Sequence, residues 1–213
     1  KGILAADEST PTIEKRLQSV GIKSTPENRH SYRHTIFSAP NLEKYIGGVI
    51  LYDETIKNAD TIAPLKDKDI VLGIKVDRGV KSYSNSGKLT EGLDGLTKRL
   101  QEYKKLGAQF AKWRAVIAIK DTNACIRTNA WALANYAKAC QEEDIVPIVE
   151  PEVLMEGKHS IYEAAKITED VLHNVFDSLY SEDVNLEHII LKPNMILHGY
   201  DSGKANNPNE TAN

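Results

Sequence analysis

Short runs rich in Val and Ile alternate along the chain with stretches whose apolar residues recur every three or four positions. The runs are Gly2–Asp7, Gly47–Asp53, Asp69–Asp77, Ala108–Ile117, Ile145–Leu154 and His188–Leu197. Several are almost continuously apolar, as parallel strands covered on both faces are. Between them Leu93, Leu96, Leu100 and Tyr103 step at helical spacing, and Gly107 then supplies a stop. Ala130, Leu133, Ala134 and Ala137 mark a second helix, and Ala164, Ile167, Val171 and Val175 a third. Alternating βα units predict an α/β fold with a parallel sheet. No low-complexity linker interrupts them, so residues 1–213 read as one domain.

Two arrangements fit this pattern: an open doubly wound sheet and a closed (β/α)8 TIM barrel. No G-x-G-x-x-G follows the first run and no G-x-x-x-x-G-K-[ST] occurs, which removes the main reason to choose a nucleotide-binding sheet. Charges inside the strands favour the barrel, with six of its eight βα units in this chain. Residues i and i+2 of a strand share a face. By that rule Lys75 lies beside Asp77, Lys112 beside Arg114, Glu150 beside Glu152 and Lys192 beside Asn194, while the first run ends in Asp7-Glu8-Ser9. Each set falls in the C-terminal half of its run, where parallel barrels keep their active sites. Asp7, Lys75, Asp77, Lys112, Arg114, Glu150, Glu152 and Lys192 are therefore expected to converge if the strands close. Four cations against four carboxylates are balanced, as a partly buried cluster requires.

Composition narrows the partners. With 27 Lys+Arg against 30 Asp+Glu, the net charge of −3 argues against nucleic acid or an anionic membrane as the main partner. The longest apolar runs, Gly47–Tyr52 and Ile145–Val149, fall far short of the roughly 18 residues of a membrane span. Two cysteines, Cys125 and Cys140, do not make a disulfide framework, which points to a reducing cytoplasm. The chain opens on Lys1-Gly2-Ile3-Leu4 without a signal-peptide pattern. It closes on the polar stretch 204–213, expected to hold no closing element, so a piece of a longer protein is expected. The sequon Asn209-Glu210-Thr211 is read as chance in that setting.

A lysine near other cations, in a site shielded from water, becomes a usable amine nucleophile. With a carbonyl substrate it forms an imine that draws electrons from the neighbouring carbon. One carboxylate must then move protons at the carbinolamine, and another must take or return a hydroxyl proton when a carbon–carbon bond breaks or forms. Lysines and carboxylates in these positions point to Schiff-base lyase chemistry, without naming the nucleophile. The competing metal reading rests on His30 and His34, four apart on an expected helix. An arginine stands between them, there is no H-E-x-x-H glutamate, and His159, His173, His188 and His198 are scattered. No metal and no cofactor are expected.

Taken in order, Lys1-Gly2-Ile3-Leu4-Ala5-Ala6-Asp7-Glu8-Ser9-Thr10, Gly47-Gly48-Val49-Ile50-Leu51, Gly73-Ile74-Lys75-Val76-Asp77, Phe110-Ala111-Lys112-Trp113-Arg114, Ile145-Val146-Pro147-Ile148-Val149-Glu150-Pro151-Glu152 and Leu191-Lys192-Pro193-Asn194-Met195 resemble the signatures of class I fructose-bisphosphate aldolase. The resemblance runs from the first residue to about Leu197. It implies that Lys192 forms the Schiff base and that Glu150 is the general acid/base of carbinolamine formation and dehydration. Glu152 belongs to the same charge network, Lys112 is the lysine beside the nucleophile, and Asp7 takes the hydroxyl proton in cleavage. Lys75 and Arg114 line the substrate site, and Lys15, Arg16 and Ser9 lie near a substrate phosphate. The implied reaction is reversible, metal-independent cleavage of fructose 1,6-bisphosphate to dihydroxyacetone phosphate and glyceraldehyde 3-phosphate, a step of glycolysis and gluconeogenesis. The resemblance further implies a phosphorylated sugar as substrate, a homotetramer, and binding to cytoskeletal proteins.

Two positions depart from the family pattern: its glycine after Ser-Thr is Pro11 here, and the serine that follows is Thr12. The last two strands, their phosphate-binding loops and the C-terminal tail are expected beyond residue 213, so the isolated stretch is expected to be inactive. Other Schiff-base aldolases, such as a transaldolase or deoxyribose-phosphate aldolase, and a non-catalytic scaffold are the alternatives.

Overall fold

A computed structural model describes residues 1–83 and 87–212. In chain order the elements are β1 (Gly2–Ala6), α1 (Thr10–Ser19), α2 (Pro26–Phe37), α3 (Leu42–Tyr45), β2 (Ile46–Leu51), α4 (Asp53–Ile56), α5 (Ala59–Lys66), β3 (Val71–Lys75), β4 (Val80–Ser82), β5 (Lys88–Thr90), α6 (Leu96–Lys105), β6 (Ala108–Ile117), α7 (Asn123–Glu142), β7 (Val146–Val153), α8 (Ile161–Ser181), β8 (Ile190–Leu191) and α9 (Pro208–Ala212). Six strands follow the order β1-β2-β3-β6-β7-β8, and β4 pairs with β5 in a separate hairpin. The β1/β2, β2/β3, β3/β6 and β7/β8 ladders are all parallel. This is the α/β class, with parallel strands of the (β/α) barrel kind, that the alternation predicts.

The chain forms two compact units, one of Lys1–Lys75 with Lys98–Lys112 and one of Val76–Thr97 with Trp113–Asn213. In the first unit the core is built from Val49, Ile50 and Leu51 of β2, Ile74 of β3, Ile13 of α1, Phe37 of α2 and Leu65 of α5, all buried. Gly73 of β3 is required by the ring of Phe110 on the neighbouring β6. A Cβ at position 73 would fall 2.1 Å from the Phe110 ring, closer than any packed pair allows. The helix α6 ends before Gly107, whose φ of 104° supplies the left-handed turn that a side chain would resist.

In the second unit α7 presents Ala130, Leu133, Ala134 and Ala137 to its core, and α8 presents Ala164, Val171, Val175 and Leu179. Small alanines on α7 let the helices approach closely, and α7 packs against both α8 and β7. Ser160 starts α8 with a reciprocal capping box to Glu163. Those hydrogen bonds hold the exposed Glu163 carboxyl below the usual carboxylate range. No described helix is long and apolar enough to cross a membrane.

Several boundaries differ from the sequence expectation. The run Asp69–Asp77 ends as a strand at Lys75, so Asp77 lies beyond β3. The run His188–Leu197 forms only the two-residue β8. Its shortness has a cause in β7. Lys192 N donates to Val149 O, so the odd-numbered residues of β7 turn their backbone groups toward β8. Pro147 and Pro151 stand at two of those positions and lack the donor. The ladder therefore reduces to Ile148↔Ile190 and Val149↔Leu191. The 204–213 stretch, expected to hold no closing element, carries α9; Asn213 lies outside the described residues. The outermost strands in the order, β1 and β8, expose apolar side chains, with Ile3 at 43% and Ile190 at 37%.

Candidate active site

In the first unit β1 delivers Asp7-Glu8-Ser9 at its C-terminal end. Lys112 of β6 is buried, and its Nζ lies 2.7 Å from Asp7 Oδ2. Two charges so shielded from water are stable only as a pair, because each leaves its hydration shell on folding. Register places Lys75 opposite Lys112 on the adjacent strands. Trp113, next along β6, is also fully buried, and its ring packs on Tyr136 of α7 with centroids 5.5 Å apart.

Glu8 is ion-paired to Arg16 of α1. Ser9 is the N-cap residue of α1, and its Oγ lies 3.1 Å from Thr12 Oγ1. Pro11 thus falls in the first helical turn, where the missing N–H has no helical acceptor to lose. Threonine at position 12 supplies the second hydroxyl of that contact. Lys15 lies on the exposed face of α1.

Arg33 was not among the residues expected at the site. It is 1% exposed, and its Nη2 donates to the Glu8 carbonyl at 2.8 Å. Glu54 lies 3.7 Å from Arg33 Nη1 and also accepts two hydrogen bonds from Arg29 Nε and one, at 2.9 Å, from Arg29 Nη2. Burial pushes the Arg33 guanidinium below its ordinary value, opposed by Glu54 and Glu8. The signal available in the sequence was the four-residue step Arg29, Arg33, Phe37, which puts all three on the buried face of α2. On that same helix His30 bonds the Thr61 hydroxyl and His34 the Ser38 hydroxyl.

In the second unit the central pair is Lys192 with Glu150. Glu150, on β7, is 4% exposed, and Lys192 Nζ donates to its Oε1. Lys192 keeps 49% of its side chain accessible, so the amine is both held and reachable. Two residues further along β7, Glu152 is ion-paired to Arg114 of β6. The Arg114 backbone N–H donates to Asp77 Oδ2 at 3.4 Å, and Asp77 Oδ1 accepts from Gly79 N. Asn194 also reaches back to β7, accepting from Val153 N at 3.2 Å and donating to Thr168 Oγ1 of α8 at 3.2 Å. An amine nucleophile beside a buried carboxylate can form an imine and shuttle the protons that imine formation needs.

The family model for class-I fructose-bisphosphate aldolase matches residues 1–213. A probable class 1 fructose-bisphosphate aldolase of Xylella fastidiosa is 49% identical over 94% of this chain and 63% of its own length. The fructose-bisphosphate aldolase of Plasmodium falciparum is 47% identical over 94% of this chain and 58% of its own. A solved structure of P. falciparum fructose-bisphosphate aldolase, in complex with TRAP and a small-molecule inhibitor, superposes with a TM-score of 0.96. That match covers 99% of this chain and 64% of the other, at 44% identity. The chain thus spans about three fifths of the length of these relatives, at 63% and 58%. Sequence and fold agree over the whole stretch, and the chain belongs to the class I fructose-bisphosphate aldolase family.

Proposed function

We propose that the protein containing this chain cleaves and forms fructose 1,6-bisphosphate through a Schiff base on Lys192. The observation that supports this reading is the Lys192–Glu150 pair, an accessible amine held against a buried carboxylate. Lys192 Nζ attacks the ketose carbonyl, and its proton passes to the carbinolamine oxygen. Glu150 in its acid form then protonates that hydroxyl, water leaves, and an iminium remains. The C3–C4 bond breaks with its electron pair drawn toward the iminium, giving an enamine. The C4 hydroxyl proton goes to a carboxylate, the role assigned to Asp7, and glyceraldehyde 3-phosphate departs. Protonation of the enamine carbon and hydrolysis of the imine release dihydroxyacetone phosphate and restore Lys192.

Lys112 is assigned as the cation accompanying the nucleophile, Glu152 as part of its charge network, and Lys75 and Arg114 as substrate-lining groups. Lys15, Arg16 and Ser9 are assigned to a sugar phosphate, as the family resemblance implies; Lys15 and Arg16 lie on α1 and Ser9 is its N-cap residue. A place in glycolysis in the cytoplasm and a homotetrameric assembly belong to the same reading. Cleavage of fructose 1,6-bisphosphate by the full-length protein is expected to persist in excess EDTA, because the proposed electron sink is the iminium. Loss of turnover in chelator, restored by a divalent metal, would contradict it.

A second reading, a binding role without turnover, draws on the complex of the P. falciparum relative with TRAP. Its signature is a protein that binds such a partner and never forms the imine.

A further inference from the structure

The strand that carries Lys192 has almost no ladder of its own. β8 is two residues long, and the last backbone bond joining this segment to β7 as a ladder is Lys192 N to Val149 O, at 2.9 Å. The next donor of β7 on that side is position 151, a proline without an N–H. Pro193 removes the N–H directly after Lys192 as well. A lysine at the frayed end of a two-residue strand would wander, yet imine chemistry needs its Nζ held to within a fraction of an ångström.

We infer that Asn194 is the positioning residue for Lys192, its side chain replacing the ladder that proline deletes. The next β7 donor after position 151 is Val153 N–H, and it bonds the Asn194 side-chain oxygen at 3.2 Å. The amide nitrogen of Asn194 donates to Thr168 Oγ1 at 3.2 Å and to Met195 O at 3.1 Å. Thr168 is 5% exposed on α8, so the anchor reaches a fixed element. Lys192 is thereby held on one side by Val149 O and on the other by a side chain bound to both β7 and α8. An alanine or leucine at 194 could make none of the three contacts. Aspartate could accept from Val153 N but could not donate an amide N–H to Met195 O.

This inference rests on Lys192 being the Schiff-base lysine. Its test uses the full-length protein and borohydride trapping with dihydroxyacetone phosphate, with the adduct mapped by peptide mass and the rate scaled to the folded fraction. Asn194→Ala is expected to slow adduct formation on Lys192 by about tenfold to 100-fold. Thr168→Val, nearly isosteric, should slow it in the same direction, and the double variant by no more than the larger single effect. Thr168→Ser, which keeps the acceptor, should trap at close to the wild-type rate. Wild-type trapping rates in folded Asn194→Ala and Thr168→Val, whatever their unfolding midpoints, would reduce the contacts to a structural role and overturn the inference. No Lys192 adduct in the wild-type protein would overturn the proposed function itself.

Discussion

Replacing Lys192 with Met in the full-length protein is expected to lower kcat for fructose 1,6-bisphosphate cleavage by at least about 10⁴-fold, because it removes the amine proposed to form the covalent intermediate. Methionine keeps most of the length of the lysine stem and lacks only the nucleophile. Half of the lysine side chain is accessible, so the substitution opens little space in the core. Glu150 loses an ion-pair partner while staying buried, and some loss of stability will accompany the loss of turnover. Activity and unfolding should therefore be measured on the same preparation. A folded Lys192→Met protein with a tenth or more of wild-type kcat would exclude Lys192 as the nucleophile.

Glu150→Gln should reduce kcat by about 10²- to 10⁴-fold, the range of a lost general acid/base. The amide has nearly the shape of the carboxyl, so the packing of β7 around position 150 persists. What it cannot do is give up a proton to the carbinolamine hydroxyl and take it back. The deficit belongs to imine formation and hydrolysis, so single-turnover trapping of the ketose should slow as much as steady-state cleavage does. If only the steady-state rate fell and trapping stayed at its wild-type rate, Glu150 would act at another step.

The alternation of strand and helix was plain in the sequence because parallel strands covered on both faces read as apolar runs, and β6 matches its expected span of Ala108–Ile117. Trp113, buried on Tyr136 between two charged neighbours, shows the strand alternation on which the charged positions were picked out. The pairings themselves were not legible. Which carboxylate meets which cation depends on register between strands far apart in the sequence, as Asp7 with Lys112 illustrates.

The short β8 was missed because its length is set by Pro147 and Pro151 on its neighbour, and their effect depends on which edge of β7 they face. The helix α1 was hidden for a local reason, since Thr10-Pro11-Thr12 reads as a turn although proline suits a first helical turn. Its buried residues, Ile13 and Leu17, are a single four-residue step, too little for a periodic signal. The β4/β5 hairpin escaped because its first strand, Val80–Ser82, is exposed throughout and has no apolar alternation. Arg33 escaped because an arginine on a polar helix is ordinarily solvated, and only the fold turns its face inward.

The proposed mechanism requires a ketose phosphate to become covalently bound to one particular lysine. Borohydride reduction of the full-length protein with dihydroxyacetone phosphate, followed by peptide mass mapping, tests it most directly, because reduction converts a transient imine into a stable secondary amine. A single major adduct is expected, on the peptide containing Leu191-Lys192-Pro193-Asn194. An adduct on Lys75 or Lys112 instead, or no adduct in a protein that still turns over substrate, would contradict it.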